Sequence, residues 1–73
     1  MLSKDMKDQI DWLVSQGDHY VAAKDHSQVD KIVDTLVALG LQSKEIEGYI
    51  ITSCFGTWGW VDMVIDGIVS ESK

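Results

Sequence analysis

The chain has 73 residues, which is enough for one hydrophobic core and too few for two, so we expect a single domain over residues 1–73. Twelve acidic and six basic side chains give a net charge of -6. Nucleic-acid phosphates are bound mainly by clustered Lys and Arg, so this balance disfavours direct nucleic-acid binding and favours a protein partner with a basic surface. Cys54 is the only cysteine, which excludes a disulfide within the chain.

The first residues mix Lys and Asp where a secretory signal would need an apolar run. No stretch approaches the roughly 18 to 20 consecutive apolar residues of a membrane span. We therefore expect a soluble, cytoplasmic protein that does not bind membranes.

The start of the chain carries an apolar stripe at helical spacing, formed by Met6, Ile10, Leu13 and Val14. A first helix is predicted over about residues 4 to 16, with Ser3 as its cap and Gly17 as its end. The segment 18–24 is too short to classify by its period and stays open between a helical turn and an extended stretch.

Three further helices are predicted, each preceded by a Ser or Thr that can cap its first amides. Their approximate ranges are 28 to 39, 44 to 55 and 58 to 70. The predicted apolar stripes of these helices are, in turn, Val29, Ile32, Val33 and Leu36; Ile46, Tyr49, Ile50, Ser53 and Cys54; and Trp58, Val61, Ile65 and Ile68. The capping residues are Ser27, Ser43 and Thr57, and the glycines expected at helix ends are Gly40 and Gly56. The predicted fold is all-α, a compact single-domain bundle of about four short helices.

One alternative concerns the second half of the chain. Residues 49–65 are rich in β-branched and aromatic types, and Gly56-Thr57 has the composition of a two-residue hairpin turn. A C-terminal β-hairpin there would make the fold α+β. We favour helices because residues 61–66 do not alternate apolar and polar types.

The residues that usually carry chemistry are few. His19 and His26 each follow an aspartate, so a continuous helix would place both Asp–His pairs on one face, but a metal site needs further ligands. Cys54 falls on the predicted buried stripe of the third helix, where a free cysteine packs as a small hydrophobe. No nucleophile has a neighbouring base, so we expect no catalytic residues, no metal and no cofactor.

The apolar residues exceed what the core of four helices needs. Successive residues lie about 100° apart around a helix axis, which places several large side chains off the core stripes. Exposed Trp and Met are enriched at protein interfaces, and acids at i, i+4 flank the stripes of the second and fourth helices. The predicted partner-binding residues are Trp12, Trp60, Met63, Asp30, Asp34, Asp62 and Asp66.

The segment 29–69 runs through a helix, Leu39-Gly40-Leu41, a helix started by Ser43, a turn and a last apolar helix. This order resembles the three-helix ubiquitin-associated domain, whose first loop reads Met-Gly-Phe or a relative. The resemblance implies a compact helical arrangement with a loop at Gly40, and an adaptor function. Leu41 replaces the usual aromatic residue, so no binding residues are carried over.

The leading hypothesis is a non-enzymatic, acidic binding module that occupies a partner protein's surface. Small, acidic chains without motifs are similar to phage-encoded inhibitors, including anti-CRISPR proteins, some of which block a nucleic-acid-binding groove. Such an inhibitor would act in the host cytoplasm. The alternative is a structural homo-oligomer, for example a homodimer, in which the surplus apolar residues form a self-interface. A small metal protein or enzyme is the least favoured hypothesis.

Overall fold

A computed structural model describes residues 2–54 and 59–71, with side chains throughout except at positions 53 and 54. These residues form four α-helices, a short 3₁₀ turn and no strand, so the predicted all-α bundle is confirmed. In chain order the elements are α1 (Lys4–Ala22), α2 (His26–Gln42), α3 (Lys44–Cys54), the 3₁₀ turn (Gly59–Val61) and α4 (Asp62–Glu71). None of the described helices is long and apolar enough to span a membrane.

α1 begins where the sequence predicts, because the Ser3 hydroxyl accepts a hydrogen bond from the Met6 N–H at 3.2 Å. Its predicted end at Gly17 is wrong. The helix continues to Ala22 and buries Gly17, where the missing side chain makes room for a packed neighbour. The turn after α1 instead uses Lys24 in the left-handed conformation, with φ at 60°. Most of the unclassified segment 18–24 is therefore helical.

α2 begins two residues earlier than predicted. Its cap is Asp25, whose Oδ1 accepts from the Gln28 N–H at 3.4 Å and from the Ser27 hydroxyl at 3.2 Å. The prediction of Ser27 as the cap is wrong, since this residue lies in the first turn. Gly40 lies inside α2 and is buried, because its missing side chain leaves room for Ile68 to pack over it. The loop that the ubiquitin-associated domain implies at Gly40 is therefore absent.

The second half of the chain is helical on both sides of residues 55–58. Ser43 caps α3 as predicted, accepting from the Glu45 N–H at 3.2 Å. Residues 49–54 and 62–71 are helical, so the alternative hairpin is wrong, although Gly56 and Thr57 themselves lie outside the described residues. α4 begins at Asp62, after the 3₁₀ turn, and not near residue 58.

The core lies between the inner faces of the four helices. The predicted stripes of α1, α2 and α3 supply most of it, and Val64 takes the inner position in α4 that was predicted for Ile65, which is half-buried. Gly67, on the Val64 side of α4, lets Val37 of α2 approach closely. The buried apolar residues are Ile10, Leu13, Val14, Val29, Ile32, Val33, Leu36, Ile46, Ile50, Val61, Val64 and Ile68.

Candidate functional site

Trp60 is the most enclosed of the predicted partner-binding residues with a large side chain. Its six-membered ring occupies the space that a Cβ atom at Gly17 would take, so the indole lies directly on α1. The Nε1 atom is buried and has no hydrogen-bond partner among the described residues. Trp60 is half-buried and packs against the core. Its ring thereby links the 3₁₀ turn before α4 to the second half of α1.

Trp12 lies on a different side of α1. It precedes Gly17 by five positions, which corresponds to roughly 140° around the helix axis. Its side chain therefore projects away from the side that Trp60 covers, and it is 59% exposed. The structure does not bring the two tryptophans into one surface.

The outer side of α4 combines acidic and apolar side chains. Asp62 and Asp66 are exposed there, Met63 is 50% exposed and Val69 is 42% exposed. These four residues fall within an arc of about 120° around the helix axis. α4 contains no basic residue, so this side of the helix is uniformly acidic.

Close approach of α2 and α4 brings the Met63 edge of this side of α4 near the acids of α2. A Cβ atom at Gly67 would lie 2.8 Å from Val37 Cγ2, and one at Gly40 would lie 2.6 Å from Ile68 Cδ1. Val37 and Gly67 therefore form a seam between the two helices. On the α2 side of this seam, Asp34 lies one turn before Val37 and Asp30 lies two turns before it.

The contacts also give the relative direction of the helices. Trp60 contacts Gly17, which the α1–α2 turn places near the start of α2, whereas Ile68 contacts Gly40 near the end of α2. α4 therefore runs in the same direction as α2, and Met63 lies level with the turn that holds Asp34. We call the surface formed by Asp30, Asp34, Asp62, Met63 and Asp66 the acidic face.

The histidines do not share a helix face. α1 ends between the Asp18-His19 and Asp25-His26 pairs, so the continuous helix that would align them is not present. His19 packs edge-on against the Tyr20 ring at a centroid distance of 5.4 Å. Among the described residues no three potential metal ligands lie together. The predicted packing of Cys54 concerns a side chain outside the described ones.

A groove of about 460 Å³ lies where α2 meets α3 and contains none of the predicted site residues. Leu41 lines it and is 44% exposed, with Lys44, Glu47 and Glu71 around it. Lys44 Nζ lies 3.5 Å from Glu47 Oε2, so both charge signs are present. No pattern in the chain predicted this groove, because Leu41 was assigned to a loop.

Five of the seven predicted residues are thus exposed on α2 and α4, the two helices that the Val37–Gly67 seam joins, whereas Trp60 packs against α1 and Trp12 lies on a separate surface. Within the described part of the chain, none of these surfaces contains an ion pair, a metal cluster or a deep cavity. The groups that these surfaces offer to a ligand are exposed carboxylates and apolar side chains. Comparisons with protein-family models, with curated proteins and with solved structures find no match for this chain.

Proposed function

We propose that this chain is a non-enzymatic protein-binding module whose acidic face occupies a basic surface on a partner protein. The observation that carries the proposal is Met63, which is half-exposed among carboxylates on a helix without basic residues. A large apolar side chain surrounded by charged groups has the composition of an interface centre with a polar rim.

The charge and the apolar centre act at different distances. The net charge of -6 attracts a basic surface before contact and raises the rate of encounter. On contact, Met63 is removed from water, and the carboxylates of the acidic face pair with Lys or Arg side chains at the rim. The apolar centre therefore slows dissociation, while the carboxylates select a basic partner.

The partner class follows from what basic surfaces ordinarily bind. A patch of Lys and Arg that accepts four carboxylates is also suited to phosphate groups, so the module competes with nucleic acid for the same surface. The chain then acts as an inhibitor of a nucleic-acid-binding protein. In size and charge it is similar to the phage-encoded inhibitors, and this analogy supports the proposal.

The test is a pull-down from the native host with matched single variants. Asp66→Lys reverses one charge on the acidic face, and Asp18→Lys makes the same charge change at an exposed position on α1. We expect the captured partner to be lost with Asp66→Lys and kept with Asp18→Lys. Equal loss with both variants would show that net charge alone drives binding and would contradict the role of the acidic face.

A second pair of variants tests the apolar centre. Met63→Ala removes a side chain that is 50% exposed, and Leu41→Ala removes one that is 44% exposed in the groove between α2 and α3. We expect only Met63→Ala to speed dissociation of the captured partner.

In addition, the wild-type chain should release an oligonucleotide from that partner. A partner that holds both ligands at once would contradict inhibition by occupancy.

A further inference from the structure

The outer side of α1 carries a second continuous surface, separate from the acidic face. Positions three and four apart alternate along it, which is the spacing that forms one strip along a helix. Every residue of this strip is exposed. We call it the α1 strip, and its members are Asp5, Asp8, Trp12, Ser15, His19 and Ala22.

The order of side chains along the α1 strip is self-complementary. Its first half carries carboxylate acceptors at Asp5 and Asp8, and its second half carries His19, whose ring N–H donates hydrogen bonds. The large ring of Trp12 and the small side chain of Ser15 lie on either side of the helix centre. A strip turned end over end therefore presents donors to acceptors and a small residue to a large one.

We propose that a second copy of this chain docks on the α1 strip, with the two α1 helices antiparallel about a two-fold axis. In this register Trp12 packs over Ser15 of the other copy, and Asp8 accepts a hydrogen bond from His19 of the other copy. Each contact occurs twice, as an isologous interface requires.

The charges favour this direction over the parallel one. Parallel helices would place Asp8 against Asp8, and like charges in contact are unfavourable. In the antiparallel register each Asp8 meets a hydrogen-bond donor instead. Burial of Trp12, which is 59% exposed in the single chain, supplies the apolar contribution.

The dimer is expected to be weak and sensitive to salt. One helix from each copy makes a small interface, and a net charge of -6 on each chain opposes association. Added salt screens that repulsion, so dimerisation should strengthen as the salt concentration rises. The dimer would carry two acidic faces. A partner with two basic surfaces would therefore bind the dimer with higher overall affinity than the monomer, because the second contact is made within the same complex. Only this last consequence depends on the proposed function.

The test measures the dimer Kd by sedimentation equilibrium in a salt series, using the full chain. Trp12→Ala should leave a monomer throughout. His19→Asp should weaken the dimer about tenfold, because it places a second carboxylate against Asp8 of the other copy. The double variant Asp8→His/His19→Asp exchanges the two side chains, restores the pairing and should return the Kd to within about threefold of wild type.

The matched control is His26→Asp, which makes the same substitution at an exposed position off the α1 strip and should leave the Kd within about threefold of wild type. A wild-type chain that stays monomeric at every concentration and salt level would overturn the proposal. So would a dimer that Trp12→Ala does not affect, or a double variant that remains as weak as His19→Asp. Loss of partner capture with Asp66→Lys is a separate readout, so this proposal and the proposed function fail independently.

Discussion

Trp12 projects from one side of α1, and Trp60, from the 3₁₀ turn, packs against a different side of the same helix. The two side chains differ in how far the surrounding structure covers them. Both were predicted off the main apolar stripes of their helices, yet the ring of Trp60 lies on Gly17 while Trp12 is 59% exposed. The difference comes from the glycine, because only a position without a side chain leaves room for an indole ring. The position of a large residue on its helix therefore does not decide whether it is covered, since a neighbouring helix must also leave a gap.

The largest expected effect is that of Trp60→Ala. Removing a fully buried tryptophan costs roughly 3 to 5 kcal/mol, and because Trp60 is half-buried we expect a decrease of about 2 to 3 kcal/mol in the free energy of unfolding. Urea denaturation measures this change. A loss below about 0.5 kcal/mol would place Trp60 with Trp12 among the surface residues and remove the contrast between them.

Gly17→Ala should give the next largest change in the free energy of unfolding. Alanine favours a helix over glycine by about 1 kcal/mol, but its Cβ would collide with the Trp60 ring, so we expect a net loss of about 1 to 2 kcal/mol. The same change made together with Trp60→Ala should be neutral or stabilising, because the collision is gone. Identical effects of Gly17→Ala in both backgrounds would mean that the ring does not constrain this glycine.

Gly48 has no packed side chain against it, so its substitution by alanine should change the free energy of unfolding in the opposite direction. Gly48 lies in the middle of α3, and apart from its own turns of helix no atom of the described residues comes within 4 Å of where its Cβ would be. We therefore expect Gly48→Ala to stabilise the chain by about 0.5 to 1 kcal/mol, through helix propensity alone. Thermal unfolding of this variant beside Gly17→Ala tests whether packing separates the two glycines. Destabilisation by Gly48→Ala would reveal a contact at this site.

Trp12→Ala should have the smallest effect on folding. At a concentration where the chain is monomeric, we expect the free energy of unfolding to change by less than about 0.5 kcal/mol, because an exposed side chain loses few contacts. Urea denaturation at low protein concentration measures it. A decrease comparable with that of Trp60→Ala would show that Trp12 supports the fold.

The helical fold was predictable because the core stripes repeat at helical spacing. Ile10, Leu13 and Val14 in α1 and Leu36 in α2 lie inside as the periodicity indicates. The order of residue types also argued correctly against the hairpin that the composition allowed, since residues 61–66 do not alternate apolar and polar types.

The ends of the helices were less predictable, because glycine has two uses in a helical protein. Gly17 and Gly40 were assigned to helix ends, where glycine is common, but each lies inside a helix and allows a neighbour to approach. Only the positions of Trp60 and Ile68 in space distinguish these uses, and those positions depend on the complete fold. Asp25 was likewise missed as a cap because Ser27, two residues later, has the same capping chemistry.

The candidate site was predictable residue by residue but not as a surface. Helical spacing identified Met63 and the acid pairs as lying off the core stripes. It could not show that α2 and α4 run in the same direction, or that Val37 and Gly67 bring them together. For the same reason it grouped Trp12 with Trp60, although α1 separates them.

The contact between Trp60 and Gly17 also sets an order for folding during synthesis. α1 and α2 are adjacent in the chain and leave the ribosome first, as a helical pair whose inner side still contains the gap at Gly17. That gap stays open to water until the segment carrying Trp60 has emerged. The nascent chain therefore leaves this apolar gap uncovered until the segment carrying Trp60 has been made and has left the ribosome.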